Sequence, residues 1–143
     1  VTSNEVTLTV NTNQRPVAKI NSPTNLLYSG GDQINFSGQG TDAEDGIMPA
    51  SSFTWYVNLY HFDPPAHFHP AMDQVTGITS GSFSIPVSGE TSPNVLYRIY
   101  LRVTDSQGLT GVDSVDVKPK TSVITLNSIP QGMILKLDGN TVV

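Results

Sequence analysis

Cysteine is absent from this 143-residue chain, so no disulfide framework staples it and no thiolate cluster can hold a metal. That absence suits an exported bacterial protein and a cytosolic one alike. Charge is sparse at 13% of residues, and the 7 cations are outnumbered by 12 anions. The resulting net charge of −5 repels a phosphate backbone, which argues against nucleic acid as a partner. No apolar run reaches membrane-spanning length, and Val1-Thr2-Ser3 does not open a charged-then-apolar signal pattern. Catalytic signatures are missing too: there is no Gly-x-Ser-x-Gly elbow, no glycine-rich phosphate loop and no His-Glu-x-x-His pair. Nor does any stretch carry capped apolar residues at helical period.

What is present is alternation. A hydrophobic content of 37%, with Ser, Thr, Asn, Gln and Gly filling the polar positions, suits one folded β-core. The clearest strand runs from Val95, where Tyr97, Ile99, Leu101 and Val103 alternate with Arg98, Tyr100, Arg102 and Thr104. It ends in the turn formers Thr104-Asp105-Ser106-Gln107-Gly108, and a second alternating strand follows over Leu109 to Val117. Upstream, Pro16 to Ile20 and Gln33 to Gly38 read as strands, separated by turns at Asn21–Asn25 and Ser29–Asp32. Phe53 to Tyr60 is a strong strand with Phe53, Trp55, Val57 and Leu59 on one face, and Ser80 to Pro86 is another. Between them, His61 to Thr79 contains Pro64, Pro65 and Pro70, and is expected to be a long loop. A lone tryptophan central on its strand, packed near a tyrosine-led late strand, is the pattern of an immunoglobulin-like antiparallel β-sandwich. The expected class is therefore all-β, with short extra β-segments at both ends.

Glu5 to Val10 alternates and leads into the polar run Asn11 to Arg15 before Pro16. Residues 1–14 accordingly read as the last strand of a preceding β-domain plus a linker, or else as an added edge of the main sheet. The sandwich is assigned to residues 15–120. Beyond it, Val123 to Leu126, Met133 to Leu137 and the Asp138-Gly139 turn spell a small β-meander over 121–143, too short for a core of its own. A start without Met and an end on Thr141-Val142-Val143 suggest a segment of a longer protein.

From Tyr97 through Val103-Thr104-Asp105 to Gly108-Leu109, the chain resembles a polycystic kidney disease (PKD) domain. Arg15-Pro16-Val17-Ala18, Phe36-Ser37-Gly38 and Phe53-Thr54-Trp55 agree with the same family in order. The resemblance spans Arg15 to about Lys118 and departs after the tryptophan. There Tyr56 to Tyr60 continue the strand, where the family usually has an aspartate- and glycine-rich turn. The run from Gly40 to Gly46 with the later His-Pro segment is similar to modules attached to secreted bacterial sugar dehydrogenases of the glucose/sorbosone type. Ser128 to Gly139 resembles the opening of a PEGA-type module. These resemblances imply a non-catalytic accessory region of an extracellular or cell-surface bacterial protein, contacting carbohydrate or neighbouring domains. A stalk or adhesin repeat is the alternative.

Three groups of residues are candidate sites. If the Trp55 strand pairs with the Tyr97 strand, Tyr56, Asn58, Tyr60, Arg98, Tyr100 and Arg102 share one wet face, with the rings and planar donors that sugars use. Ordinary cross-strand stabilisation explains the same row equally well. Asp42, Glu44, Asp45 and Asp105 belong to two loops that a sandwich brings to one end, where their oxygens suit Ca²⁺. The plainer account, which the residue types favour, is a pair of Asx-turns. Finally, His61, His67 and His69 are all the histidines of the chain, gathered within one short stretch, and imidazole is the usual ligand for Zn²⁺ or Cu²⁺. Packing within a loop is the competing account of that cluster, and hydrolytic chemistry there would make the chain a small metal-dependent enzyme.

Overall fold

The computed structural model describes residues 12–90, 92–137 and 139–142, so the expected strand at Glu5–Val10 lies outside the described residues. The chain is an all-β sandwich. In order it forms β1 (Val17–Ser22), β2 (Leu27–Tyr28), β3 (Gln33–Asp42), β4 (Gly46–Ile47), a single 3₁₀ turn (Ala50–Ser52), β5 (Phe53–His61) and β6 (His67–Thr76). Then come β7 (Ser80–Ser84), β8 (Val95–Thr104), β9 (Thr110–Pro119), β10 (Lys136–Leu137) and β11 (Asn140–Thr141).

Two sheets face each other. One has β3 at its centre, paired antiparallel with β1, β4 and β7. The other is five-stranded in the order β2-β9-β8-β5-β6, antiparallel except for the short parallel contact of β2 with β9. The strict alternation on β5 and β8 fixes their register, because a slip by one residue would turn every apolar side chain to water. Trp55, Val57, Ile99, Leu101 and Val103 are fully buried in consequence. Trp55 packs on Phe36 at a centroid distance of 4.6 Å, and its indole N–H donates to the Ile78 carbonyl at 3.0 Å. Tyr97 is also buried, but it stands opposite Leu59, four positions along β5 from Trp55. It finds its own ring partners in Tyr28 at 5.1 Å and Phe83 at 5.6 Å.

Close approach of the sheets depends on Gly38. A Cβ there would lie 2.6 Å from Leu101 Cδ2 and 2.8 Å from the Lys19 carbonyl oxygen. Along the edge, the Ile20 amide donates to the Asp113 carboxylate at 2.7 Å, tying β1 to β9 across the sheets.

The segment His61–Thr79 corrects the sequence reading. Most of it is not loop but β6, which pairs with β5 through two register irregularities. The prolines fit because of where they fall. Pro64 and Pro65 occupy the connection between β5 and β6, while Pro70 sits on an edge strand, where a missing N–H breaks no central ladder. The C-terminal segment also differs from the expected meander. Val123–Leu126 is not a strand, and only the β10–β11 hairpin forms, with Gly139 at φ +84° in its turn. Val123, Ile129 and Ile134 remain exposed, since so short a segment has nothing of its own to bury them against.

Candidate functional site

The β5–β8 pairing brings together the expected face. Tyr56 stands opposite Tyr100, Asn58 opposite Arg98, and Thr54 opposite Arg102, all directed away from the core. Each of the six side chains is half-buried, and most are engaged with neighbours. Tyr56 and Tyr100 stack with centroids 4.6 Å apart and 11° between planes. Arg98 makes a two-pronged ion pair with Asp116 opposite it on β9, at 2.5 and 2.7 Å, and lies 5.2 Å from the Tyr60 ring centroid. The hydrogen bonds it donates to Asp116 hold the Arg98 guanidinium even more firmly protonated than usual. Arg102 donates to the Gln74 side chain at 3.2 Å.

Sequence reasoning missed the aromatic residues that widen this face. Phe68 on β6 stands opposite Tyr60, with ring centroids 5.4 Å apart, and Phe62 follows at 6.4 Å from the same ring. Phe68 is 55% exposed and Phe62 46%, more than any of the six expected residues. The signal lay in the alternation of His67-Phe68-His69, which stands opposite His61-Tyr60-Leu59 across the hairpin, but prolines on both sides obscured it.

The same alternation sends the histidines the other way. His61 pairs with His67, and His69 with Leu59, so all three rings leave the sheet on its inner side, at its open end. Their centroids lie 4.7 to 5.2 Å apart. Among the described residues, these are the side chains that bring three metal-ligating atoms together, all within 4.8 Å of one another. His61 and His69 border a cleft of about 740 Å³ lined also by Tyr28, Leu59, Glu90, Tyr97 and Lys120.

The two acidic loops touch through Asp45 and Ser106, but the carboxylate oxygens are used by nearby protein donors. Asp45, after β3, accepts from both the amide and the hydroxyl of Ser106, after β8, at 2.8 and 2.9 Å. Asp42 Oδ1 accepts the Glu44 and Asp45 amides, both at 2.9 Å, and its buried Oδ2 has no partner among the described residues. Glu44 accepts the Gln14 amide at 3.3 Å. Asp105 accepts the Gln107 and Leu109 amides at 2.9 and 2.8 Å, and the Asn13 side chain at 2.8 Å. Asp42 and Asp105 are thus turn-holding carboxylates of the Asx kind. Burial works against ionisation of Asp105, but its hydrogen bonds from Asn13 and the Leu109 and Gln107 amides outweigh it and hold the carboxyl below the usual range. Asp63, close to the histidines in sequence, accepts instead from Ser92 and Asn94 and so anchors the connection before β8.

The class defined by these features is a two-sheet β-sandwich with an aromatic outer face and a histidine cluster at one end of its larger sheet. No family model and no curated protein matches the chain. Its backbone is similar to the crystal structure of Spo0M, a sporulation control protein from Bacillus subtilis, with a TM-score of 0.47 at 10% identity. That similarity covers 76% of this chain and 51% of Spo0M, so the chain spans about half the length of that structure. Among the described residues no helix is long and apolar enough to cross a membrane.

Proposed function

We propose that the chain is a non-catalytic, PKD-like accessory module of an exported multidomain bacterial protein. In this reading it spaces neighbouring domains and binds carbohydrate on the outer face of its five-stranded sheet. The observation that carries the reading is the pair of exposed rings, Phe62 and Phe68, around half-buried Tyr60 and beside the fixed guanidinium of Arg98. Sugars present apolar C–H faces to rings and hydroxyls to planar donors, so the combination suits them. Arg98 is already aligned by Asp116, which removes part of the ordering cost of binding. An associated sugar-dehydrogenase domain rests on the sequence resemblance alone.

Affinity electrophoresis and calorimetry against soluble polysaccharides test this. Retardation by at least one polysaccharide is expected, together with its loss in Phe68→Ala, a surface change that leaves the core intact. Equal mobility of both proteins in every polysaccharide overturns the carbohydrate reading. A purely spacing role, as in a stalk or adhesin repeat, is the second reading. It is favoured by the Tyr56–Tyr100 stack and the Arg98–Asp116 pair, which satisfy one another without a ligand.

A further inference from the structure

We propose that His61, His67 and His69 form a binding site for a divalent first-row transition ion of the Zn²⁺/Cu²⁺ class. The site is built by strand pairing. His61 and His67 are direct partners across the β5–β6 ladder, and His69 lies two residues along the same face, so the backbone holds three imidazoles side by side. Three histidines on two neighbouring strands form a facial set that leaves a coordination position open, here toward the cleft.

The surroundings of two rings fit ligation as well. The Nδ1 of His67 lies 2.8 Å from the Pro65 carbonyl, which can only accept. The proton is therefore on Nδ1, and Nε2 carries the free lone pair. His61 Nδ1 lies 3.3 Å from the Glu90 carboxylate, the place an outer-shell carboxylate takes behind a metal-binding imidazole. Glu90 comes from the segment between β7 and β8, so it reaches the hairpin from a different part of the chain. Two of the three ligands thus have an oxygen acceptor behind them, an arrangement that simple ring packing does not require.

The distances are those of an open site. Zn–N bonds of about 2.0–2.1 Å in a tetrahedron put ligand nitrogens about 3.4 Å apart. The ligating atoms here lie within 4.8 Å, and the His61 and His67 rings are nearly parallel at 3°. A small rotation about the side-chain torsions would close that gap, and His67 and His69 are exposed, with solvent on one side. The bound ion would clip β5 to edge strand β6 beside the proline-containing turn. Water fills the remaining position. Imidazole donors bind Cu²⁺ more tightly than Zn²⁺, following the general order for divalent ions. The inference stands on the inner side of the hairpin and does not depend on the carbohydrate reading of its outer side.

The test is calorimetric titration of metal-stripped protein with Zn²⁺ and with Cu²⁺, alongside visible absorption with Co²⁺. One ion per chain is expected, with Co²⁺ bands intensified by a low-symmetry nitrogen site. His67→Ala and His69→Ala, both surface changes, should each weaken binding at least ~10-fold and abolish the Co²⁺ bands. Glu90→Gln, which keeps the three ligands, should weaken it by about 10-fold. Absence of heat with both ions overturns the site. So does Zn²⁺ binding that is unchanged in His67→Ala and His69→Ala, because the ion would then sit elsewhere. Circular dichroism of each variant confirms that lost binding is not lost fold.

Discussion

Tyr60 and Tyr100 share a hydrogen bond of 2.7 Å between their hydroxyls although they are not opposite one another in the sheet. Tyr60 faces Leu96 and Tyr100 faces Tyr56, so the bond runs diagonally across the ladder. Tyr100 is therefore held twice, by its stack on Tyr56 and by its bond to Tyr60.

Those two holds can be separated. Tyr100→Phe keeps the stack and removes the hydroxyl, and should cost about 0.5–1.5 kcal/mol. Tyr100→Ala removes both and should cost a further ~0.5–1.5 kcal/mol for the aromatic pair, besides the lost apolar contact. Urea denaturation with an unchanged m-value would read both steps. Equal stability of Tyr100→Phe and the parent would show that the diagonal bond contributes nothing net.

Alkali should weaken the fold late. Burial, with the nearby Tyr97 and Glu90, pushes Tyr28 up to about 12 from its ordinary 10.0. Burial also raises Tyr97 and Tyr100, the latter aided by its bond to Tyr60. A raised folded-state value means that the neutral ring is favoured by folding. That stability is whole below about pH 10 and drains away as pH climbs through about 12. Tyrosinate absorbance should therefore rise in more than one step, the late step coinciding with loss of the folded circular dichroism signal. A single step at the ordinary tyrosine value in the folded protein would contradict the burial of these hydroxyls.

Gly38→Ala probes how closely the sheets approach. The added methyl would meet Leu101 and the Lys19 carbonyl at 2.6 and 2.8 Å, and a backbone oxygen cannot step aside. Overpacking of this kind costs about 1–3 kcal/mol. The same substitution at Gly77, which has nothing within 4 Å of a built Cβ, serves as a contrast, since only its φ of +81° is then at stake.

Acid should act through Asp105. Its carboxyl is held below its ordinary 3.8, so ionisation is favoured by folding. The contribution is complete above the unfolded value and is lost as pH falls through the lower folded one. Asp105→Ala should lower the urea midpoint at neutral pH and flatten its decline below roughly pH 4. A decline as steep as the parent's would assign acid sensitivity to other carboxylates. Since the oxygens of Asp45 and Asp105 already accept protein donors, added Ca²⁺ should leave the midpoint unmoved.

The strands that carry the core could be read from the sequence because each has a buried and a wet face. Trp55, Val57, Ile99 and Leu101 announce the inner rows of β5 and β8, and register then follows from burial. That is why the positions of Tyr56, Asn58, Arg98 and Tyr100 on one face could be read as well. β6 could not. As an edge strand with mostly exposed residues it has no apolar rhythm to display, and Pro64, Pro65 and Pro70 speak against a strand unless its place at the sheet's margin is known. With β6 went Phe68, the most exposed phenyl ring of that face. Asp116 behind Arg98 and Glu90 behind His61 were hidden for another reason. They meet their partners across 18 and 29 residues of sequence, a proximity created only by folding. That the loop of Asp45 and the turn after β8 lie at one end was visible beforehand, since sandwich topology sends those two connections there, but the particular contact of Asp45 with Ser106 was not.

Pro70 has a consequence for how copies of this module behave when crowded. A sheet grows by recruiting another chain along a bare margin, and this five-stranded sheet has two margins. One is the two-residue β2 beside the end of β9; the other is β6, interrupted in mid-strand by a residue with no amide hydrogen to offer. The β6 border is therefore a broken template for an incoming strand, and pairing of copies along that side is disfavoured even where they are held close together.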